Sequence, residues 1–242
     1  MIAAFALTTA SLTVFAAASL KDAFESVADA FESREPGVKV VFSFAGSQTL
    51  AAQVKNGARA DVLATASMKT MSVASPYTAV PTLFATNKLT LVLAKDREGV
   101  STVRELSKVT KIVLAGESVP AGEYADEFLA KAAKAYGNFW LNKVRGHIVS
   151  REPDVRSVLA KVALGEADAG VVYQTDAWSA RTRVKEVLIP DRFNVVADYP
   201  VAVVLDSRNK PVAKRFISFL VSSSGRQVLS RFGFGSSRAR RK

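Results

Sequence analysis

The chain has 242 residues, 49% hydrophobic, 23% charged and 9% aromatic, a composition that folds and that fills one large α/β domain or two lobes. It has no cysteine and a single histidine, His147, which excludes disulfides, thiolate metal sites, cysteine nucleophiles and histidine-rich metal sites. The net charge of +11 invites a nucleic-acid or membrane-surface partner. Arg238, Arg240, Arg241 and Lys242 gather in a terminal tail, however, and the other basic residues are scattered without interleaved aromatics.

Residues 1–11 begin apolar and rich in small residues, with no basic n-region, and read as the trailing end of a signal peptide or a linker to one. No later stretch nears the ~20 uninterrupted apolar residues of a spanning helix. Leu12 to Ala16 reads as a strand. Ser19 to Arg34 reads as a helix with Leu20, Phe24, Val27, Ala28 and Phe31 on one apolar stripe. Ser19 stands at the N-cap position of that helix, and Asp22 completes a Ser-x-x-Asp capping pattern. A second strand, Val38 to Phe44, leaves through Ala45-Gly46-Ser47 into a helix over Gln48 to Asn56 that Gly57 closes. Ala60 to Thr65 is a third strand, followed by a segment that Pro76 and Pro81 keep short.

Leu83 to Ala94 is a long strand, Ser101 to Leu106 a short helix and Lys111 to Ala115 a strand. Val119-Pro120-Ala121-Gly122 then opens a helix over Glu123 to Tyr136. Val144 to Val149 reads as a short strand or extended loop, and Pro153 as the N1 residue of a helix that stops at Gly165. Ala167 to Tyr173 is a strand that leads into a helical turn over Thr175 to Ala180. Val184 to Ile189 and Tyr199 to Leu205 are strands; Lys210 to Val221 and Gly225 to Phe232 are closing helices. Strands alternating with helices imply mainly parallel sheets covered on both faces.

Five strand-to-helix junctions recur, at Ser19, Ser47, Ala121, the Pro153-Asp154-Val155 turn and Tyr173. Each has a bland reading as a cap, a helix start or a core residue. Together they have another: ligands of open parallel sheets bind outside the carboxyl ends of the strands, where such junctions collect. Helix N-termini offer unpaired N–H groups at the positive end of a dipole, which suits an anion. Two hydroxyls, three sets of backbone amides and a phenol form a cage of donors. Nothing resembles a catalytic constellation: there is no Ser-His pair, no clustered carboxylates and no P-loop.

FAAASL at Phe15 to Leu20, SFAGSQTLAAQV at Ser43 to Val54, FATNKL at Phe84 to Leu89 and SVPAGEYA at Ser118 to Ala125 resemble the molybdate-binding proteins of ABC-type molybdate importers. So do PDVRSVL at Pro153 to Leu159, GEADAGVVYQTDA at Gly165 to Ala177 and YPVAVV at Tyr199 to Val204. The matches follow the family's order from Leu12 to Phe234. The resemblance implies a two-lobed periplasmic-binding-protein fold of type II with two hinge crossovers and no enzymatic activity or cofactor. It implies a molybdate or tungstate oxyanion held between the lobes, with molybdenum bound only as that oxyanion.

Carried over motif by motif, the ligand-binding residues are Ser19, Ser47, Ala121 and Val155 (the last two through backbone) and Tyr173. The implied partner is the membrane permease of an ABC importer, outside the cytoplasm, with no nucleic acid and a monomeric state; the native precursor is compatible with lipid anchoring. The implied lobes are 12–85 with 201–242, and 86–200, with crossovers near Thr86-Asn87 and Asp198-Pro200. A sulfate- or other tetrahedral-oxyanion-binding protein of the same fold is the alternative. Glu123, two residues past Ala121, would repel an anion from inside the cleft and is expected to point outward. The Pro-broken stretch after Ala64 and the basic tail depart from the family pattern.

Overall fold

A computed structural model describes residues 10–237; the leader reading of residues 1–9 and the tail residues Arg238, Arg240, Arg241 and Lys242 lie outside them. The first stretch holds β1 (Ala10–Ala17), a 3₁₀ turn (Ala18–Leu20), α1 (Lys21–Glu32), β2 (Val38–Ala45), α2 (Ser47–Lys55), β3 (Val62–Ala64) and α3 (Met68–Val73). The long β4 (Thr82–Ala94) follows, then β5 (Ile112–Ala115), α4 (Pro120–Tyr136), α5 (Asn138–Gly146), β6 (Ile148–Glu152), α6 (Val155–Ala163) and β7 (Ala169–Tyr173). The chain closes with α7 (Gln174–Ser179), β8 (Val184–Leu188), β9 (Val196–Val203), α8 (Lys210–Leu220), α9 (Ser223–Arg231) and β10 (Gly235–Ser236).

The strands run in the order β2-β1-β3-β9-β4-β7-β5-β6, with β8 and β10 also paired to β4. Two parallel groups stand at the two ends: β1 pairs with β2 and β3, and β5 with β6 and β7. Between them the pairing is antiparallel, so the parallel reading holds within each group and not across the whole sheet. β4 joins the groups, because Thr82–Lys88 pair with β9 while Leu89–Ala94 pair with β7 and β8. At the crossing, Thr86 faces Asp198 and Asn87 faces Ala197, so the two strands that pass between the groups are bonded to each other.

Most local expectations hold within a residue or two, for physical reasons. In α1 the stripe Phe24, Val27, Ala28 and Phe31 is buried. Phe24 meets Phe84 at 5.6 Å and Phe31 meets Phe216 edge-on at 5.3 Å between ring centroids. Burying each such ring contributes roughly 1.5–3 kcal/mol, more than any cap.

Three expectations about element bounds fail. Val144 to Gly146 is the end of α5, not a strand; Trp140 and Val144, one turn apart, bury that helix against the core, and the strand starts at Ile148. Pro153 lies outside α6, whose N-cap is Asp154; its carboxylate accepts from the Arg156 and Ser157 amides. Ala10 and Ser11, grouped by sequence with the leader, already belong to β1.

Candidate functional site

Each parallel strand of the two groups ends at one cleft, β3 through Ala66, as the carboxyl ends of such strands do. β1 delivers Ser19, β2 delivers Ser47, β5 delivers Ala121, β6 delivers Val155 and β7 ends at Tyr173. All five line the same small cleft, of about 220 Å³, together with Ala17, Ala18, Gly46, Ala66, Val119, Pro120 and Asp154. All five are buried, none more than 4% exposed. A cleft this small suits a compact ion, since drug-sized ligands occupy about 300–1,000 Å³. A wide groove of about 1130 Å³ around Asp61, Tyr77 and Asn209 is an open surface feature away from the cleft. Its one buried carboxylate, Asp61, is already satisfied by the Thr13 amide and the Ser207 hydroxyl.

Ser47, Ala121 and Val155 sit in the first turns of α2, α4 and α6. First-turn N–H groups have no intrahelical acceptor, and among the described residues no backbone carbonyl accepts from these three amides. Dipoles of three helices therefore converge on the cleft. The Ser47 Oγ accepts from the Ala66 amide at 3.0 Å, which leaves its own proton to point elsewhere.

Ser19 corrects the sequence reading. The 3₁₀ turn and α1 have Ala17 and Leu20 at their N-caps, neither with a side-chain cap, so the Ser-x-x-Asp pattern caps nothing. The Ser19 hydroxyl instead lies 3.0 Å from the Tyr199 hydroxyl, and Asp22 accepts from Arg156 at 2.7 Å. Both partners are more than a hundred residues away, so no local pattern announces them.

Tyr173 is the most telling residue. Its ring is buried, and its hydroxyl, itself buried, has no hydrogen-bond partner within the protein. Orphaned polar atoms of this kind are rare and are normally satisfied by something bound. Burial, helped by the neighbouring Tyr199 phenol, pushes Tyr173 well above the usual tyrosine range, so it stays a donor. Tyr124, pushed up to about 12 by burial, donates to the Ala66 carbonyl at 3.4 Å.

The charged groups stand back from the cleft. Asp154 lines it, but Oδ1 accepts from the Arg156 and Ser157 amides at 2.8 and 3.0 Å and Oδ2 from the Ser157 hydroxyl at 3.0 Å. Glu123 lies outside the lining and pairs with Lys69 at 2.6 Å on the rim. Arg156 reaches Asp22 at 2.7 Å and comes within 2.8 Å of the fully buried Asp176. The second approach is a charge contact rather than an aligned hydrogen bond, because neither Nε nor Oδ1 has a well-directed partner. Burial pushes Asp176 up to about 6 against the pull of Arg156. Arg156 and Asp176 lie 20 residues apart in two separate motifs, and only the fold shows their pairing. Among the described residues no cluster of metal-ligating side chains occurs, and no helix is long and apolar enough to cross a membrane.

Two groups of strands joined by paired crossings, with a donor-lined cleft between them, define a solute-binding protein. The family described as bacterial extracellular solute-binding protein matches residues 12–235. The molybdate-binding protein ModA of Mycobacterium tuberculosis is 37% identical over 231 residues, covering 93% of this chain and 84% of that protein. Two solved structures share the fold at 19% identity. One is the Azotobacter vinelandii periplasmic molybdate-binding protein, with a TM-score of 0.81 and coverage of 94% of this chain and 100% of that one. The other is the sulfate-binding protein SubI of Mycobacterium tuberculosis, at 0.82, covering 95% and 88%. The chain belongs to the ModA family of bacterial extracellular solute-binding proteins. It is a binding protein that works outside the cytoplasm, not an enzyme.

Proposed function

We propose that the chain captures molybdate, and tungstate with it, in the cleft and delivers the oxyanion as a monomer to the membrane permease of an ABC importer. The orphaned Tyr173 hydroxyl carries this reading, because it demands an acceptor that the protein itself does not supply. The Ser19 and Ser47 hydroxyls, the amides of Ser47, Ala121 and Val155, and the Tyr173 phenol would then surround four oxygens that only accept. Neutral donors satisfy a dianion without burying counter-charges that would themselves need desolvation. At roughly 1.5–3 kcal/mol each, such charge-assisted bonds reach about −8 to −12 kcal/mol after association is opposed.

The lobes of this reading are residues 12–85 with 201–242, and 86–200, hinged where β4 and β9 cross. Lobe contacts over the cleft support a closed form: Gln48 donates to the Pro153 carbonyl at 2.9 Å, and Arg156 and Lys69 reach Asp22 and Glu123. Calorimetric titration with molybdate, tungstate, sulfate and phosphate tests the proposal. Molybdate and tungstate are expected to bind at micromolar or better, and absence of heat or thermal shift with both would sink it. Sulfate is the second reading, because it too is a tetrahedral ion without protons; affinity equal to molybdate's would favour it. Ser19→Ala and Ser47→Ala are each expected to weaken binding by about 1–3 kcal/mol, and wild-type affinity in both would remove them from the site.

A further inference from the structure

Tyr199 is absent from the cleft lining but touches a residue that belongs to it. It is 0% exposed, on β9 next to the crossing. Its ring is fixed by edge-on packing against Phe84 at 6.2 Å, Tyr173 at 5.8 Å and Phe234 at 5.5 Å. Its hydroxyl lies 3.0 Å from the Ser19 Oγ. A phenol has one proton to place, and among the described residues Ser19 is the acceptor it meets.

The alternatives can be ranked. If Ser19 donated to Tyr199, the buried phenolic proton would be left with only the unaligned Tyr173 oxygen as an acceptor and Ser19 would turn lone pairs toward the cleft. If Tyr199 donates, every donor is used and the Ser19 proton faces the cleft. Unsatisfied buried donors are strongly disfavoured, so the second arrangement prevails. It matches Ser47, whose oxygen is occupied by the Ala66 amide.

Resting on the proposed anion site, we infer that Tyr199 is a positioning and specificity-determining residue that locks the Ser19 hydroxyl as a donor. Each serine then has a lone pair engaged behind it and its proton aimed into the cleft, so the cleft disfavours any oxyanion that carries a proton of its own. Monohydrogen phosphate and its arsenate analogue are the disfavoured class. Cooperative polarisation along Tyr199–Ser19–anion strengthens the bond to a fully deprotonated ligand.

The test is Tyr199→Phe, which keeps the ring and deletes the hydroxyl. Molybdate and sulfate affinities are each measured by titration, and phosphate by its displacement of bound molybdate near neutral pH. Loss of one supporting hydrogen bond is expected to lower molybdate and sulfate affinity about three- to tenfold. Phosphate is expected to gain, so that the molybdate-to-phosphate ratio narrows by tenfold or more. In a Ser19→Ala background the same substitution is expected to change the ratio less than twofold. Equal losses for all three anions would assign Tyr199 a packing role only and overturn the inference, with the anion site intact. A wild type that binds none of the three anions overturns the anion site and this inference together.

Discussion

An Arg156→Leu variant is expected to unfold about 3–5 kcal/mol more easily than wild type at neutral pH, read as a lower urea midpoint at unchanged slope. The reason is Asp176, fully buried with Arg156 as its counter-charge at 2.8 Å. Removing one partner of a buried pair leaves the other charge with only the Tyr173 amide, at 3.3 Å, to compensate it. Adding Asp176→Asn is expected to restore most of the loss; a double variant as unstable as the single one would place the effect in Arg156 packing instead.

The pH dependence has a definite sign. In the unfolded chain Asp176 titrates near 3.9, and in the folded chain near 6. A carboxyl raised on folding contributes stability that is complete below the unfolded value and lost as pH rises through the folded one. Asp176→Asn is therefore expected to gain on wild type between about pH 4 and pH 6 and then hold a constant lead. A difference that stays flat from pH 4 to 7 would contradict a raised Asp176.

Gly46→Ala is expected to weaken oxyanion binding about a hundredfold while leaving the melting temperature of the unliganded protein nearly unchanged. Gly46 has ordinary extended angles, φ −58° and ψ 136°, so alanine meets no backbone penalty there. The added methyl would instead collide with the Pro153 carbonyl and the Gln48 side chain. Pro153 belongs to the loop that faces Gly46 across the cleft, so the collision with backbone exists only in the closed form, while the flexible Gln48 side chain beside Gly46 can turn away. Overpacking against rigid backbone costs about 3 kcal/mol at the upper end, which is the hundredfold. Wild-type affinity in this variant would show that closure at Gly46 is not needed for binding.

Local physics made much of the molecule readable in advance. The α1 stripe, the glycines at 57, 165 and 233 with φ of +82°, +75° and +87°, and the long β4 all follow from periodicity and turn chemistry. The five junctions that recur along the chain are the residues the fold brings to one cleft. Long-range pairing stayed hidden. Ser19 looked like a cap because serine before a helix usually is one, yet its hydroxyl answers to Tyr199, 180 residues on. Asp22 completed the same false pattern and in fact meets Arg156. Gly46 follows a strand as many turn glycines do, and nothing local announces that the fold brings a carbonyl against it from the opposite side. Helix α5 lacked a capping signal, and only the one-turn spacing of Trp140 and Val144 could have found it.

In the proposed two-lobe reading, the ladder between β4 and β9 decides what kind of mechanical element the hinge would be. Thr86 and Asn87 stay bonded to Asp198 and Ala197, so the lobes are not tethered by slack chain. They share a two-stranded ribbon, and β10 lies along its other edge at Ala85 and Thr86. Two-stranded ribbons tolerate a wide range of twist without losing hydrogen bonds. Opening thus behaves as torsion of an elastic strip, with little entropy gained and a restoring force that grows with angle. The few rim contacts, Arg156 to Asp22 and Lys69 to Glu123, add to that restoring force in holding the cleft shut. A partner that breaks these contacts would work against the strip alone, and an ion in the proposed site would then face water with the donors of one lobe withdrawn.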